Sequence, residues 1–99
     1  MVELVLSNRT TPKVASGTGT SLGSVFSANL GFRPTRVMIY FYSIPNADMK
    51  GAFIDTKQGI NAFTVNGNGN RLTITDNGFE VYVYAGYGRA NFYYLAVKD

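Results

Sequence analysis

Hydrophobic and polar residues alternate with a period of two through much of the second half of the chain. The clearest case is RLTIT at residues 71–75 and FEVYVY at residues 79–84, with Asp76-Asn77-Gly78 between them. Such alternation is typical of strands with one buried face, and a DNG sequence suits the positive φ angles of a tight hairpin turn. The pattern predicts a β-hairpin whose buried side chains are Leu72, Ile74, Phe79, Val81 and Val83.

Two other segments, RVMIYFYSI at residues 36–44 and NFYYLAVKD at residues 91–99, are apolar or aromatic on both faces. A strand at the surface of a small domain normally has one apolar and one polar face. We therefore expect one face of each strand in the core and the other against a partner, and the sequence leaves open which face of the second segment is which. In the first segment one face holds Val37, Ile39 and Phe41, and the other holds Met38, Tyr40 and Tyr42. In the second segment one face holds Phe92, Tyr94 and Ala96, and the other holds Tyr93, Leu95 and Val97.

The remaining extended segments are shorter and are separated by turn residues. They are expected at residues 2–6, 24–30, 52–55 and 60–65, the last two pairing around the sequence TKQG. The polar residues 7–23 predict a Gly/Ser/Thr-rich arm or loop, with a brief extended piece near residues 13–15. The fold class is therefore all-β: an antiparallel β-sandwich of six to eight short strands in a single domain spanning residues 1–99, with a small closed barrel as the alternative.

Composition removes several classes of function. The chain has no His and no Cys, and its six acidic residues are scattered, so we expect no enzyme activity, no cofactor and no metal site. Its nine Lys and Arg residues are dispersed and form no phosphate-binding run, so nucleic-acid binding is not expected. No apolar stretch reaches the length of a transmembrane helix, and the first residues do not resemble a signal peptide.

Tyrosines recur on the strands predicted above. Each Tyr combines a large apolar ring with one polar tip, which suits protein interfaces better than dry cores. A two-sheet sandwich has one interior, so the second apolar face of these strands needs another partner, most often a second copy of the chain. We therefore expect a homo-oligomer with Tyr40, Tyr42, Tyr82, Tyr84 and Tyr93 at its interface.

Three segments in order, NLGFRPTRVMIYFYS, TITDNGFEVYVY and NFYYLAVK, carry a resemblance over about residues 23–98. A GF-x-P-x-x-V entry to a strand, a GF-x-V hairpin strand and a closing YYLA strand resemble the C-terminal domains of bacteriophage tail-fibre and baseplate receptor-binding proteins. The same order is similar to the H-type lectin module. The resemblance implies an antiparallel sandwich assembled as a trimer, located in the virion of a phage or prophage and made in the bacterial host cytoplasm.

The resemblance also implies host-surface saccharide as the ligand class, although no group of residues here matches a lectin sugar site. Sugars need flat apolar rings for their C–H faces and hydrogen-bonding groups for their hydroxyls. Two polar-aromatic loops offer both, which gives the candidate ligand residues Tyr87, Arg89, Asn91, Asp55 and Lys57. The expected function is a non-enzymatic receptor-binding tip. The alternative is a virion structural component, such as a capsid decoration or head-fibre protein, that binds other particle proteins.

Overall fold

Two antiparallel sheets packed face to face make up the described part of the chain, residues 13–48, 51–63 and 69–99 of a computed structural model. The larger sheet has the strand order β1-β8-β3-β4-β5 and the smaller one β2-β7-β6. The predicted all-β sandwich is confirmed, and the two separate sheets rule out the closed barrel. The strands are β1 (Lys13–Ser21), β2 (Val25–Asn29), β3 (Arg36–Ser43), β4 (Gly51–Asp55), β5 (Ile60–Phe63), β6 (Arg71–Thr75), β7 (Gly78–Tyr82) and β8 (Ala90–Lys98), with a 3-10 turn at Ala85–Tyr87 before β8.

The core between the sheets consists of aliphatic and aromatic side chains from both. Phe92 is completely buried and makes edge-on ring contacts with Phe26 of β2, at a centroid distance of 5.2 Å, and with Phe41 of β3, at 5.7 Å. These contacts settle the orientation of β8, whose Phe92 face points inward while its Tyr93 face points away from the smaller sheet. The buried apolar residues are Val37, Ile39, Phe41, Ala52, Phe63, Leu72, Phe79, Val81, Val83, Ala90, Phe92 and Ala96.

Strand β1 corrects the expectation of a loop at residues 7–23. Lys13–Ser21 pairs with β8 along its whole length, from Lys13 opposite Lys98 to Ser21 opposite Ala90. Gly17 and Gly19 face Tyr94 and Phe92 across this pair, and the two rings extend over the space that glycine leaves. The glycine and hydroxyl residues of this segment predict a loop. In the fold, the missing side chains of the glycines leave room for aromatic side chains of the neighbouring strand to cover this edge strand. The expected strand at residues 2–6 and the first part of the arm lie outside the described residues.

The β6–β7 hairpin is confirmed, and its core face holds the side chains that alternation predicted. The role of Gly78 differs from the expectation, because its φ angle is not positive. Gly78 pairs with Asn29 on β2 and is buried, and a Cβ there would overlap the backbone carbonyl of Ala28. Close approach of β2 is thus the reason for glycine at this position.

Replacing the two β1 glycines by alanine should destabilise the protein unequally. A Cβ at Gly19 would lie 2.6 Å from the tip of the Phe92 ring, which is fully buried, and 2.8 Å from Phe26, whose ring packs edge-on against Phe92. A Cβ at Gly17 would lie 2.7 Å from the hydroxyl end of Tyr94, which is only partly buried and can move. We expect Gly19→Ala to cost about 1–3 kcal/mol of unfolding free energy, the range for overpacked cores, and Gly17→Ala to cost less.

Urea unfolding of the two variants and the wild type measures this difference. Equal stabilities of the two variants would contradict the assignment of Phe92 as the more rigid neighbour.

Candidate interaction face

The outer surface of the larger sheet is an aromatic face, defined here as Met38, Tyr40, Tyr42, Phe53, Tyr93 and Leu95. Alternation along β3 and β8 directs these side chains outward, and strand pairing sets Tyr40 opposite Tyr93 and Met38 between Leu95 and Phe53. Tyr40 is 57% exposed, Tyr93 53% and Met38 46%. A contiguous patch of this kind is unusual on a surface that faces only water.

The aromatic face includes a packed pair of tyrosine rings and, beside it, a depression. Tyr42 lies at a register shift between Phe41 and Ser43, and its ring packs on that of Tyr93 with centroids 4.6 Å apart and planes 33° apart. We refer to the Tyr42–Tyr93 pair as the ridge.

Beside the ridge is the trough, an open apolar depression of about 610 Å³. It exists because the outward positions opposite Tyr40 and Phe53 are occupied by Gly51 and Ala62, which have little or no side chain. Its lining consists of Met38, Tyr40, Phe53, Ala62, Tyr93 and Leu95, with backbone from Ile39, Gly51, Ala52, Phe63 and Tyr94.

The outer surface of the smaller sheet is different, because its cross-strand neighbours Ser27, Glu80 and Thr73 are polar. Tyr82 lies on this face with the Arg71 guanidinium 5.0 Å from its ring centroid. A cation over an aromatic ring is a favourable contact that water tolerates well. This surface therefore has the polar face that an antiparallel sheet normally presents to solvent.

The five tyrosines expected at one interface are thus divided among three places. Tyr40, Tyr42 and Tyr93 share the aromatic face, while Tyr82 lies on the opposite side of the sandwich. Tyr84 follows β7 at one end of the molecule, where its ring contacts that of Tyr87. Alternation alone placed these residues on apolar faces but did not say which sheet each strand would join.

The candidate ligand residues Asp55 and Lys57 are occupied by contacts within the chain. Asp55 is buried, and its Oδ1 accepts hydrogen bonds from the backbone N–H groups of Lys57 at 3.0 Å and Gln58 at 3.2 Å, which closes the β4–β5 turn. The Lys57 Nζ lies 3.2 Å from Asp99 Oδ1. Asp55 therefore acts as a turn former, as Asp commonly does.

Asp99 joins this turn to the start of β3. Its carboxylate accepts a hydrogen bond from the Thr35 hydroxyl at 2.7 Å and forms ion pairs with Arg36 and Lys57. The Thr35 hydrogen bond, the Lys57 hydrogen bond and the positive charges of Arg36 and Lys57 together hold the pKa of the Asp99 carboxyl below its ordinary value of 3.8.

The other candidate ligand residues lie at the far end of the larger sheet. The Tyr87 ring meets that of Tyr84 edge-on at 5.5 Å, and Arg89 is exposed nearby in the chain. Asn91 Oδ1 accepts a hydrogen bond from the Thr20 hydroxyl at 2.8 Å.

The structure does not bring the five candidate ligand residues into one site. Asp55 pairs with Arg36, which pairs with Val97, whereas Asn91 is six residues away from Val97 on β8. At about 3.3 Å per residue this separates the two groups by about 20 Å.

The described part of the chain contains neither a cluster of metal-binding side chains nor a helix that could span a membrane. Across residues 13–48, 51–63 and 69–99, no three His, Cys, Asp or Glu side chains gather in a way that could hold a metal ion. The same residues include no helix with the length and apolar character needed to cross a membrane.

The sequence did not predict the trough, nor did it place two of its six lining side chains, Phe53 and Ala62. Met38 and Leu95 lay on the outward faces that alternation identified, so their positions were readable from the period of β3 and β8. Phe53 and Ala62 come from β4 and β5, whose sequences GAFID and INAF do not alternate between apolar and polar residues. The gap at Gly51 depends on its pairing with Tyr40, and no local signal specifies that register.

The ion pairs of Asp99 should make stability depend on pH in acid. Because the folded pKa lies below the unfolded one, the contribution of Asp99 is fully present above the ordinary value of 3.8 and is lost as pH falls through the folded value. Asp99→Asn should therefore be less stable than wild type at pH 6, by a small amount typical of surface pairs, and the difference should vanish in strong acid. Denaturant midpoints at a series of pH values measure this, and a difference that persists below pH 2 would contradict it.

A scan against protein families and searches of curated proteins and of solved structures found no match to the chain.

Proposed function

We propose that this chain is a non-enzymatic assembly module of a bacteriophage or prophage particle, and that another copy of the chain covers its aromatic face. The observation that carries the proposal is the contrast between the two outer surfaces of the sandwich. The smaller sheet presents Ser27, Thr73 and Glu80 with Val25 and Tyr82 at one end, whereas the larger sheet presents the contiguous aromatic face. Contact with solvent explains the residues on the outer surface of the smaller sheet. It does not explain the exposed aromatic residues on the larger sheet.

The chemistry of the aromatic face suits a protein partner. Interface cores are enriched in Tyr, Phe and Met and depleted of Lys, Asp and Glu, and the aromatic face has this composition. Fully desolvated Tyr residues near the centre of an interface contribute a large share of binding energy. Tyr40 and Tyr93 lie side by side at the centre of the sheet, where a flat partner would cover both.

The particle context rests on the resemblance to phage receptor-binding domains, which implies a location in the virion. Of the two expected roles, the geometry favours the structural component that binds other copies or other particle proteins. The predicted saccharide residues lie at two ends of the larger sheet, and Asp55 and Lys57 are engaged within the chain. Electron microscopy of the parent particle with a labelled copy tests the role directly, since copies confined to the tail tip would contradict it.

A saccharide site at the Tyr84–Tyr87 end is a second candidate. The two rings meet at 87°, so they can present a face and an edge to a sugar, and Arg89 is exposed close by in the chain. This candidate requires only Tyr87, Arg89 and Asn91 of the five predicted ligand residues.

A charge on the aromatic face should dissociate the assembly. Tyr93→Glu places a carboxylate in the middle of the apolar contact, where an unpaired charge costs several kcal/mol. We expect wild type to sediment as an oligomer at micromolar concentration and Tyr93→Glu to sediment as a monomer. Thr73→Glu introduces the same charge on the polar face of the smaller sheet and should leave the mass unchanged, and a monomeric wild type would overturn the proposal.

Glycan binding by the second candidate should depend on Tyr87. If the ring stacks on a sugar, Tyr87→Ala should abolish signals on a glycan array, because stacking area and the edge-on contact with Tyr84 are both lost. Tyr82→Ala removes a ring on a different surface and should retain them. A blank array with the wild-type protein would remove the saccharide candidate.

A further inference from the structure

The ridge and the trough lie next to each other on one sheet face, and this juxtaposition carries an inference that rests on the proposed function. Tyr93 belongs to both, since its ring packs on Tyr42 and also lines the trough. The ridge and the trough are therefore one ring width apart.

We infer that two copies associate about a two-fold axis, so that the ridge of each copy is seated in the trough of the other. In a two-fold contact the same patch occurs on both sides, so every projection needs a matching depression elsewhere on that patch. The aromatic face meets this condition, because the ridge adjoins the trough, while a second and smaller depression of about 210 Å³ lies on the other side of Met38, Phe53 and Leu95. The resemblance to phage domains implies a trimer, whereas a projection and a depression on one flat face favour the two-fold contact.

The outer area of the whole larger sheet reaches the lower limit for such a contact. Strands about 4.8 Å apart and four to nine residues long at about 3.3 Å per residue give the larger sheet an outer area of about 500 Å². Two copies would bury about 1,000 Å² in total, which is the lower bound for a specific interface, and filling the troughs adds to it.

The shape of the trough favours a protein side chain over a small molecule. Sites for small molecules enclose most of the ligand surface. The trough instead is a broad depression open to solvent, and it is walled by the rings of Tyr40 and Tyr93. An aromatic ridge entering from above fills such a space, whereas a small molecule would leave much of its own surface in water.

Filling the trough tests the inference. Ala62 is exposed and points outward from β5, so Ala62→Phe puts a ring where the ridge of the partner would be seated. We expect the dissociation constant from sedimentation equilibrium to rise at least about tenfold, as for other overpacked contacts. Thr73→Phe adds a ring of the same size to the smaller sheet and should change it less than about twofold, and circular dichroism of both variants checks that the sandwich remains folded.

Removing the projection gives an independent second variant. Tyr42→Ala takes away the outer half of the ridge without touching the lining of the trough, and it should also weaken association by about tenfold. Because the two changes disrupt one contact, Tyr42→Ala should cost much less in the Ala62→Phe background than in wild type. Additive effects of the two substitutions would overturn the seating of the ridge in the trough.

The outcomes separate this inference from the proposed function. A monomeric wild type overturns both. An oligomer whose dissociation constant does not respond to Ala62→Phe or to Tyr42→Ala leaves the proposed function standing and overturns this inference alone. A trimeric mass overturns the two-fold contact, and a small molecule that remains bound in native mass spectrometry and is lost in Ala62→Phe assigns the trough to a ligand instead.

Discussion

The packing of Phe92 between the two sheets is the contact on which the rest of the sandwich depends. Its ring meets Phe26 of the smaller sheet and Phe41 of the larger one, and it extends over Gly19 at the edge. Because side chains alternate along a strand, an inward Phe92 obliges Tyr93 to point outward. The same contact that joins the sheets therefore also determines which residues form the aromatic face.

The two sheets differ on their outer sides although both are built from alternating strands. In β6 and β7 the aliphatic residues and Phe79 face the core, and the outer positions include Arg71, Thr73, Glu80 and Tyr82. In β3 and β8 apolar residues occupy both sets of positions, so burying one set leaves the other exposed. This asymmetry gives the molecule a more polar side and an aromatic side, and we propose that the aromatic side joins the assembly.

Local alternation predicted the fold class, the β6–β7 hairpin and the core faces of β3 and β7, because each depends on residues close in sequence. It failed at β1, where Gly17 and Gly19 resemble a loop until the rings of β8 are placed over them. It also grouped Tyr82 with Tyr93, since the sheet that a strand joins is decided by long-range pairing. Alternation could not predict the trough for the same reason, because Gly51 leaves space only when Tyr40 lies opposite it.

The position of β8 between β1 and β3 has a consequence for how the chain folds. Lys13 pairs with Lys98, so the larger sheet closes only after nearly the whole described sequence has left the ribosome. Contacts between such distant residues are slow to form, and all-β domains dominated by them fold in about milliseconds to seconds. Until β8 pairs, one edge of β3 is open, and its unpaired backbone groups can meet other nascent chains. Pairing of β8 removes this edge, and the same step completes the aromatic face that we propose for assembly.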